Sequence, residues 1–321
     1  MDQMNNTADT DNKIQPWQLK FRQNMPLWMK IKYTEKRIIN WYEYWGGNVY
    51  VSFSGGKDST VLLDICRRLY PEIVAVFSDT GLEYPEIRKF VKSIDNVIWI
   101  KPEMAFREVI TKFGYPVISK EVSQSVKEAR NNPNCRAVQK FAKDSEYVLK
   151  YGQRYSLEKY SYLLNAPFKI SDQCCKMLKK DPFHNYEKTT GMMPIIGMMA
   201  SDSATRKSNY FKNGCNAFNG RASSNPISFW MEDDIWEYIK TFNISYSSVY
   251  DLGEKRTGCM FCMFGVHLEK GVNRFQRMQT THPKIYNYCI NDLGLGEVLD
   301  YINVPYRVNQ GLPLFDNKEW E

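Results

Sequence analysis

The sequence predicts an α/β fold: a twisted, mostly parallel sheet with helices on both faces, followed by a helical, cysteine-bearing C-terminal region. Three observations carry that expectation. Short apolar, β-rich runs alternate with helical stretches between Asn48 and Ile100. The first of those helical stretches spaces its apolar residues three and four apart, on one face. A glycine turn, Gly55-Gly56, joins the first strand directly to it. Strand, helix, strand, helix, strand is the pattern of parallel pairing with right-handed crossovers.

Taken in order, Met1–Gln15 is polar, has almost nothing to bury and reads as a flexible tail without a secretory leader. From Trp17 to Tyr44 aromatics alternate with Lys and Arg in helical rhythm, and Gly46-Gly47 ends the segment. Asn48–Phe53 is the first strand. Asp58–Tyr70 is helical, with Val61, Leu62, Ile65, Cys66 and Leu69 on one face. Ile73–Phe77 is the second strand, Pro85–Ser93 the second helix and Val97–Ile100 the third strand. The stretch from about 103 to 188 reads as a mostly helical insertion, and Pro194–Met198 as a return to the sheet. Trp230–Phe242 is an amphipathic helix opened by Glu232-Asp233-Asp234, acids that suit a helix N-terminus. A Gly/Cys turn at Gly258–Gly265 precedes helices around Lys284–Asn291 and Gly296–Ile302. The expected division is a tail over 1–15, an α/β domain over 16–240 containing the insertion, and a helical region over 241–321.

At 321 residues, 43% hydrophobic and 25% charged, the composition is that of a globular protein. No apolar run approaches the roughly 20 residues of a membrane helix. Eight cysteines without a leader point to a reducing, cytoplasmic setting, where thiols bind metals or do chemistry rather than form a disulfide framework. The net charge of +7 is compatible with nucleotide or nucleic-acid partners.

Ser54-Gly55-Gly56-Lys57-Asp58-Ser59 lies between a buried strand and a helix. Glycines let the backbone turn tightly and approach a ligand. Amides at the helix N-terminus then face an anion, which the helix dipole favours. Ser54 and Ser59 add hydroxyls, Lys57 adds charge, and Asp58 can brace the loop or hold magnesium. The spacing is neither that of a Walker loop nor of a dinucleotide fingerprint.

This loop resembles the PP-loop of the ATP pyrophosphatases, the adenine nucleotide α-hydrolase superfamily. Phe77–Glu86, with Asp79-Thr80-Gly81, resembles the D-T-G-x-x-[FY]-P-E segment of the branch containing phosphoadenosine phosphosulfate (PAPS) reductases. Ile227–Tyr238 is similar to that branch's P-I-x-x-W-x-x-x-D-[IV]-W-x-Y-I signature. The resemblance implies a Rossmann-like nucleotide-binding domain taking ATP with Mg²⁺. It also implies cleavage between the α and β phosphates, transfer of AMP to a substrate oxygen and displacement by a nucleophile. Residues carried over as nucleotide ligands are Ser54–Ser59, Asp79, Thr80, Gly81, Ser203 and Arg206, with Lys57, Asp58 and Arg206 as the catalytic set.

Cys174-Cys175 and the CxxC of Cys259 and Cys262 form two tight thiol pairs, as a closed metal site requires. Zinc, a redox-active CxxC and buried structural thiols are the alternatives. The pattern resembles the CC…CxxC of bacterial adenylylsulfate (APS) reductases, which implies a [4Fe–4S] cluster on these four cysteines.

Two departures from the reductases shape the expected function. The sequence as given ends without the E-C-G-x-H-type segment, and Met199 stands where the family form carries an arginine. Proteins similar to this one include DNA phosphorothioation enzymes and, more distantly, tRNA thiolases. The expectation is therefore an ATP-dependent, AMP- and pyrophosphate-forming enzyme that activates an oxygen, on DNA or tRNA, for sulfur transfer. A cysteine desulfurase or similar donor would supply the sulfur. Its rivals are a divergent PAPS/APS reductase and a non-catalytic nucleotide-binding subunit. A basic, tyrosine-rich segment from Lys140 to Lys180 is a candidate track for a phosphate backbone.

Overall fold

The computed structural model describes residues 13–308; nearly all of the Met1–Gln15 tail and the stretch from Leu312 to Glu321 lie outside them. Eight strands occur among the described residues: β1 (Val49–Ser52), β2 (Val74–Ser78), β3 (Val97–Ile100), β4 (Val117–Ile118), β5 (Met193–Ile196), β6 (Asn216–Ala217), β7 (Ser223–Ser224) and β8 (Met263–Phe264). The chain forms two compact units. One holds the chain up to Ser78, with Pro85–Ile100 and Phe183–Ser248; the other holds Asp79–Tyr84, Lys101–Pro182 and the chain from Val249 onward. The insertion read at about 103–188 and the cysteine-bearing C-terminal region thus fall largely in one unit.

In the first unit the sheet runs β3-β2-β1-β5-β7-β6, and only the β6–β7 pair is antiparallel. Tyr50 pairs with Val74 on one side of β1, and Val49 with Met193 on the other. Val49, Tyr50 and Val51 are all buried, as expected for a parallel strand covered on both faces. The chain steps outward from β1 to β3 and returns on the opposite side of β1 with β5. The order therefore reverses at β1, and the carboxyl end of such a strand opens the crevice where α/β sheets bind ligands. The edge strand β6 and its neighbour β7 are two residues each and carry no apolar run, which is why the sequence did not announce them.

The Trp17–Tyr44 stretch is two helices, Pro16–Gln23 and Leu27–Tyr44. Pro26, extended at φ −63° and ψ 153°, starts the second. Its ring constrains the residue before it, and it has no N–H to continue a helix. The Leu27–Tyr44, Lys57–Leu69 and Glu232–Phe242 helices pack on one another. Among them Lys30 Nζ donates to both Asp234 oxygens at 2.6 Å, and the Met231 amide donates to Asp234 Oδ2 at 2.6 Å. Trp230 Nε1 donates to Thr34 Oγ1 at 3.0 Å. The ion pair sits at the start of the Glu232–Phe242 helix and sets its position. Lys30 is only 2% exposed, so Lys30→Ala strands a mostly buried carboxylate. The expected loss of stability is about 3 kcal/mol, read as a lower midpoint in urea; a loss below about 0.5 kcal/mol would show that the pair does not hold the helix.

In the second unit, β4 and β8 pair in parallel, Val117 opposite Met263. Ser123 Oγ donates to the Val117 carbonyl at 2.7 Å and accepts from its amide at 3.0 Å. Arg130 donates to the carbonyls of Leu163, Leu164, Ala166 and Phe168. Gly114, at φ +106°, has the Lys169 carbonyl carbon 2.3 Å from where a Cβ would stand, so no other residue fits. The short helices between Phe106 and Lys180 carry few buried side chains each and rely on such backbone ties.

Candidate functional site

The loop after β1 is braced from within. Ser54 and Ser59 hydroxyls lie 3.0 Å apart, the Gly56 amide donates to Ser54 Oγ at 3.3 Å, and Ser59 Oγ donates to the Gly56 carbonyl at 2.9 Å. Gly56 is the N-cap of the Lys57–Leu69 helix and brings no capping side chain, so the helix N-terminus and its positive dipole end open at this loop. Gly55 sits at φ +71°, and a Cβ there would meet Val91 Cγ2 at 2.7 Å and Ile87 Cγ2 at 2.9 Å. Gly197 brings its backbone against that of Asp58 and Ser59, 3.3 Å from an added Cβ.

Lys57 is 6% exposed, with Nζ 3.1 Å from Glu232 Oε1, 3.9 Å from Asp58 Oδ1 and 5.9 Å from the Trp236 ring centroid. Burial pushes the Asp58 carboxyl above the usual carboxylate range; Lys57 opposes this, while Asp202 and Glu232 add to it. Asp58 Oδ1 is buried without a hydrogen-bond partner. Ser203 Oγ caps the Ala204–Asn213 helix by accepting the Arg206 amide at 3.2 Å, and Arg206 is paired with Asp202. The structure thus gathers Ser54–Ser59, Asp202 and Arg206 at one place. Glu232 and Trp236 join them, and sequence reasoning had not assigned either residue to the site. Met199 is buried at 3%.

Asp79, Thr80 and Gly81 belong to the second unit. There the Thr80 amide donates to Glu83 Oε2 at 3.0 Å and its hydroxyl to Oε1 at 2.7 Å, while the Leu82 amide donates to Thr80 Oγ1 at 3.2 Å. Gly81 donates to Asp79 Oδ1 at 3.3 Å. The segment is a self-bonded turn closed by the buried Glu83.

All four predicted cysteines line one cavity in the second unit, with Leu82, Phe106, Pro116, Leu178, Lys179 and Phe261. Two backbone ties hold the CxxC loop: the Met260 amide to the Leu82 carbonyl at 2.9 Å, and Arg274 Nη1 to the Cys262 carbonyl at 3.1 Å. Burial pushes the Cys259 thiol up to about 11, with the Lys179 ammonium opposing. Burial also raises Cys262. Cys174 is raised by its hydrogen bond to Cys175 and by burial, and Cys175 is lowered by that same bond and by Lys120 and Lys179. Lys179 is itself raised by Cys259, and further by Glu83. Among the described residues no three His, Cys, Asp or Glu side chains are grouped to hold a single metal ion. Four thiols around one apolar cavity, with a cation beside them, match the donor chemistry of a thiolate-bound iron–sulfur cluster.

Lys179 departs from the expected phosphate track, since it faces the thiols rather than solvent. Its spacing of four from Cys175 was the signal available in the sequence. Cys215, read as a possible exposed thiol, is 5% exposed, while Cys66 is core as expected. None of the three histidines lines the cavity.

Residues 48–264 match the phosphoadenosine phosphosulfate reductase domain. The chain is 24% identical to an adenosine 5′-phosphosulfate reductase of Staphylococcus haemolyticus, over 70% of this chain and 74% of that one. It is 26% identical to an uncharacterised protein of Methanocaldococcus jannaschii, over 75% of this chain but only 46% of that protein, so it spans under half of that relative's length. Among solved structures it resembles the PAPS reductase of Candida auris (14% identity, 77% and 96% of the two chains, TM-score 0.42). It also resembles the U34-tRNA thiolase NcsA of Methanococcus maripaludis with its [4Fe–4S] cluster (14%, 90% and 86%, TM-score 0.35). With a parallel sheet reversing at β1, a glycine loop at that strand's end and a domain match running from there to the CxxC, the chain belongs to the phosphoadenosine phosphosulfate reductase domain family.

Proposed function

We propose that the protein binds ATP with Mg²⁺ on the Ser54–Ser59 loop, forms AMP and pyrophosphate, and activates an oxygen of a nucleic acid for replacement by sulfur. The observation that carries this reading is the setting of Lys57: a buried ammonium with Asp58, Asp202 and Glu232 around it. Arg206 is paired with Asp202, so Lys57 and Arg206 together face three carboxylates; that net negative setting disfavours a bare sulfate or phosphate, whereas a polyphosphate arriving with a divalent cation offsets the charge. The substrate oxygen attacks the α-phosphorus, the bond to the bridging oxygen breaks, and pyrophosphate leaves. The loop amides and Lys57 take up its developing charge. A sulfur nucleophile then displaces AMP, which departs with the substrate oxygen. Cys174, Cys175, Cys259 and Cys262 would hold a [4Fe–4S] cluster, which when bound supplies an iron site able to carry sulfur. A cysteine desulfurase is the class of donor this chemistry requires.

Asp58→Asn tests the charge argument. Because burial raises the Asp58 carboxyl, its contribution to stability is present at low pH and lost as pH rises through the folded value. The variant should therefore melt higher than the parent at pH 7 while binding ATP with Mg²⁺ more weakly by calorimetry; tighter binding would refute a metal-bridged phosphate. A second reading, a divergent sulfonucleotide reductase, draws on the named Staphylococcus relative. Against it, Cys289 is fully buried and burial raises its thiol, so it is a poor substitute nucleophile. Anaerobic protein given ATP, Mg²⁺ and cellular DNA or RNA should release AMP and pyrophosphate in equal amounts, faster with nucleic acid. Sulfite release from APS or PAPS without AMP formation from ATP would instead establish the reductase.

A further inference from the structure

Residues 121–180 hold twelve Lys and Arg against six Asp and Glu, in a chain whose entire net charge is +7. Almost all the surplus positive charge is therefore concentrated in about a fifth of the sequence. Part of it is already committed within the second unit: Lys179 to the cysteine cavity, Arg130 to four carbonyls, Lys127 to Asp172 and Lys140 to Glu121. Arg136, Lys143, Lys150, Arg154 and Lys159 remain exposed. Asp144, Glu146 and Glu158 are exposed among them, so the face is mixed but net positive.

Phe141 is buried, but the tyrosines of residues 146–155 are not: Tyr147 and Tyr155 are half-buried and Tyr151 is exposed. The Glu146–Tyr151 helix buries only Val148 and leaves Leu149 67% and Tyr151 46% exposed. Tyr147 and Tyr151, one turn apart, have ring centroids 4.8 Å apart at 43°. Arg136 and Lys140 each lie 6.0 Å from the Tyr147 centroid, Lys150 lies 5.6 Å from that of Tyr151 and Arg154 4.8 Å from that of Tyr155. Rings left open to solvent and bordered by cations are the two components that bind unpaired nucleic acid: π-faces for bases and charge for phosphates. A duplex hides its base faces in its own stack and would use only the charge.

We propose that this face binds single-stranded nucleic acid, with Tyr147 and Tyr151 stacking on bases while Arg136, Lys150 and Arg154 contact phosphates. This deepens the reading above by naming the form in which an acceptor strand is held. The test is fluorescence anisotropy on the full chain with labelled dT and rU strands of about 20 nucleotides and a duplex of the same length, across a salt series. Single strands should bind at least about tenfold more tightly than duplex, and dT against rU reports whether the sugar matters. Joint Tyr147→Ala and Tyr151→Ala should weaken single-strand binding by about tenfold or more with the salt slope unchanged, whereas Tyr147→Phe and Tyr151→Phe, which keep the rings, should bind like the parent. Joint Lys150→Glu and Arg154→Glu should flatten the slope by about 1.4, at about 0.7 per phosphate contact. Duplex binding as tight as single-strand binding, displacement by poly-glutamate at equal charge, or alanine variants that bind like the parent would each overturn the proposal. AMP formation, measured separately on the same protein, decides the enzymatic reading, and neither result substitutes for the other.

Discussion

Lys57→Ala is expected to lower AMP and pyrophosphate formation by at least about 100-fold, the usual cost of removing one preorganised donor from a developing anion. Lys57 is 6% exposed and its ammonium is held at 3.1 Å by Glu232, on a helix that the Lys30–Asp234 pair fixes. The cation is thus positioned before any ligand arrives, and water contributes little to screening it. Lys57→Arg should not rescue the activity. The guanidinium is larger and planar, and the space is bounded by Trp236 and the loop itself. Melting behaviour and iron content should stay close to the parent's, because the lysine's removal relieves no packing in the cysteine-bearing unit. Turnover within threefold of the parent would mean that the phosphates bind elsewhere.

Cys259→Ala is expected to take anaerobically purified protein from about four irons per chain to less than one, with loss of the visible thiolate-to-iron absorption. Cys259 shares its cavity with Cys174, Cys175 and Cys262, and Lys179 is drawn to it more strongly than to any other neighbour. Losing that thiol removes one of the four ligands and one of the polar partners of Lys179 in a largely apolar space. Cys215→Ser is the matched control, a buried thiol outside the cavity that should retain iron. Iron retained in full by Cys259→Ala would refute the four-cysteine site. Parent protein carrying one zinc and no iron would refute the cluster.

The sheet core was legible because its signals are local. β1, β2 and β3 are apolar runs short enough to be strands, and the turn into the Lys57–Leu69 helix demands glycine where φ is +71°. The two thiol pairs were legible because ligand residues are rare and chemically distinct. Less visible were residues whose role depends on a distant partner. Glu232 reads as an ordinary helix-starting acid until the fold brings Lys57 to 3.1 Å. Lys179 reads as one more basic residue in a basic stretch, yet it belongs with the cysteines.

By itself, then, the sequence determined an α/β sheet with a glycine loop at the end of its first strand, and four thiols in two pairs. Backbone conformation and ligand chemistry are written in residues close together in the chain. Only the tertiary structure decided which charges face one another: Glu232 and Asp202 around Lys57 and Asp58, Lys179 against Cys259, and Lys30 against Asp234. Electrostatic interactions depend on separations of a few ångströms and on burial, and neither can be read from positions along the chain.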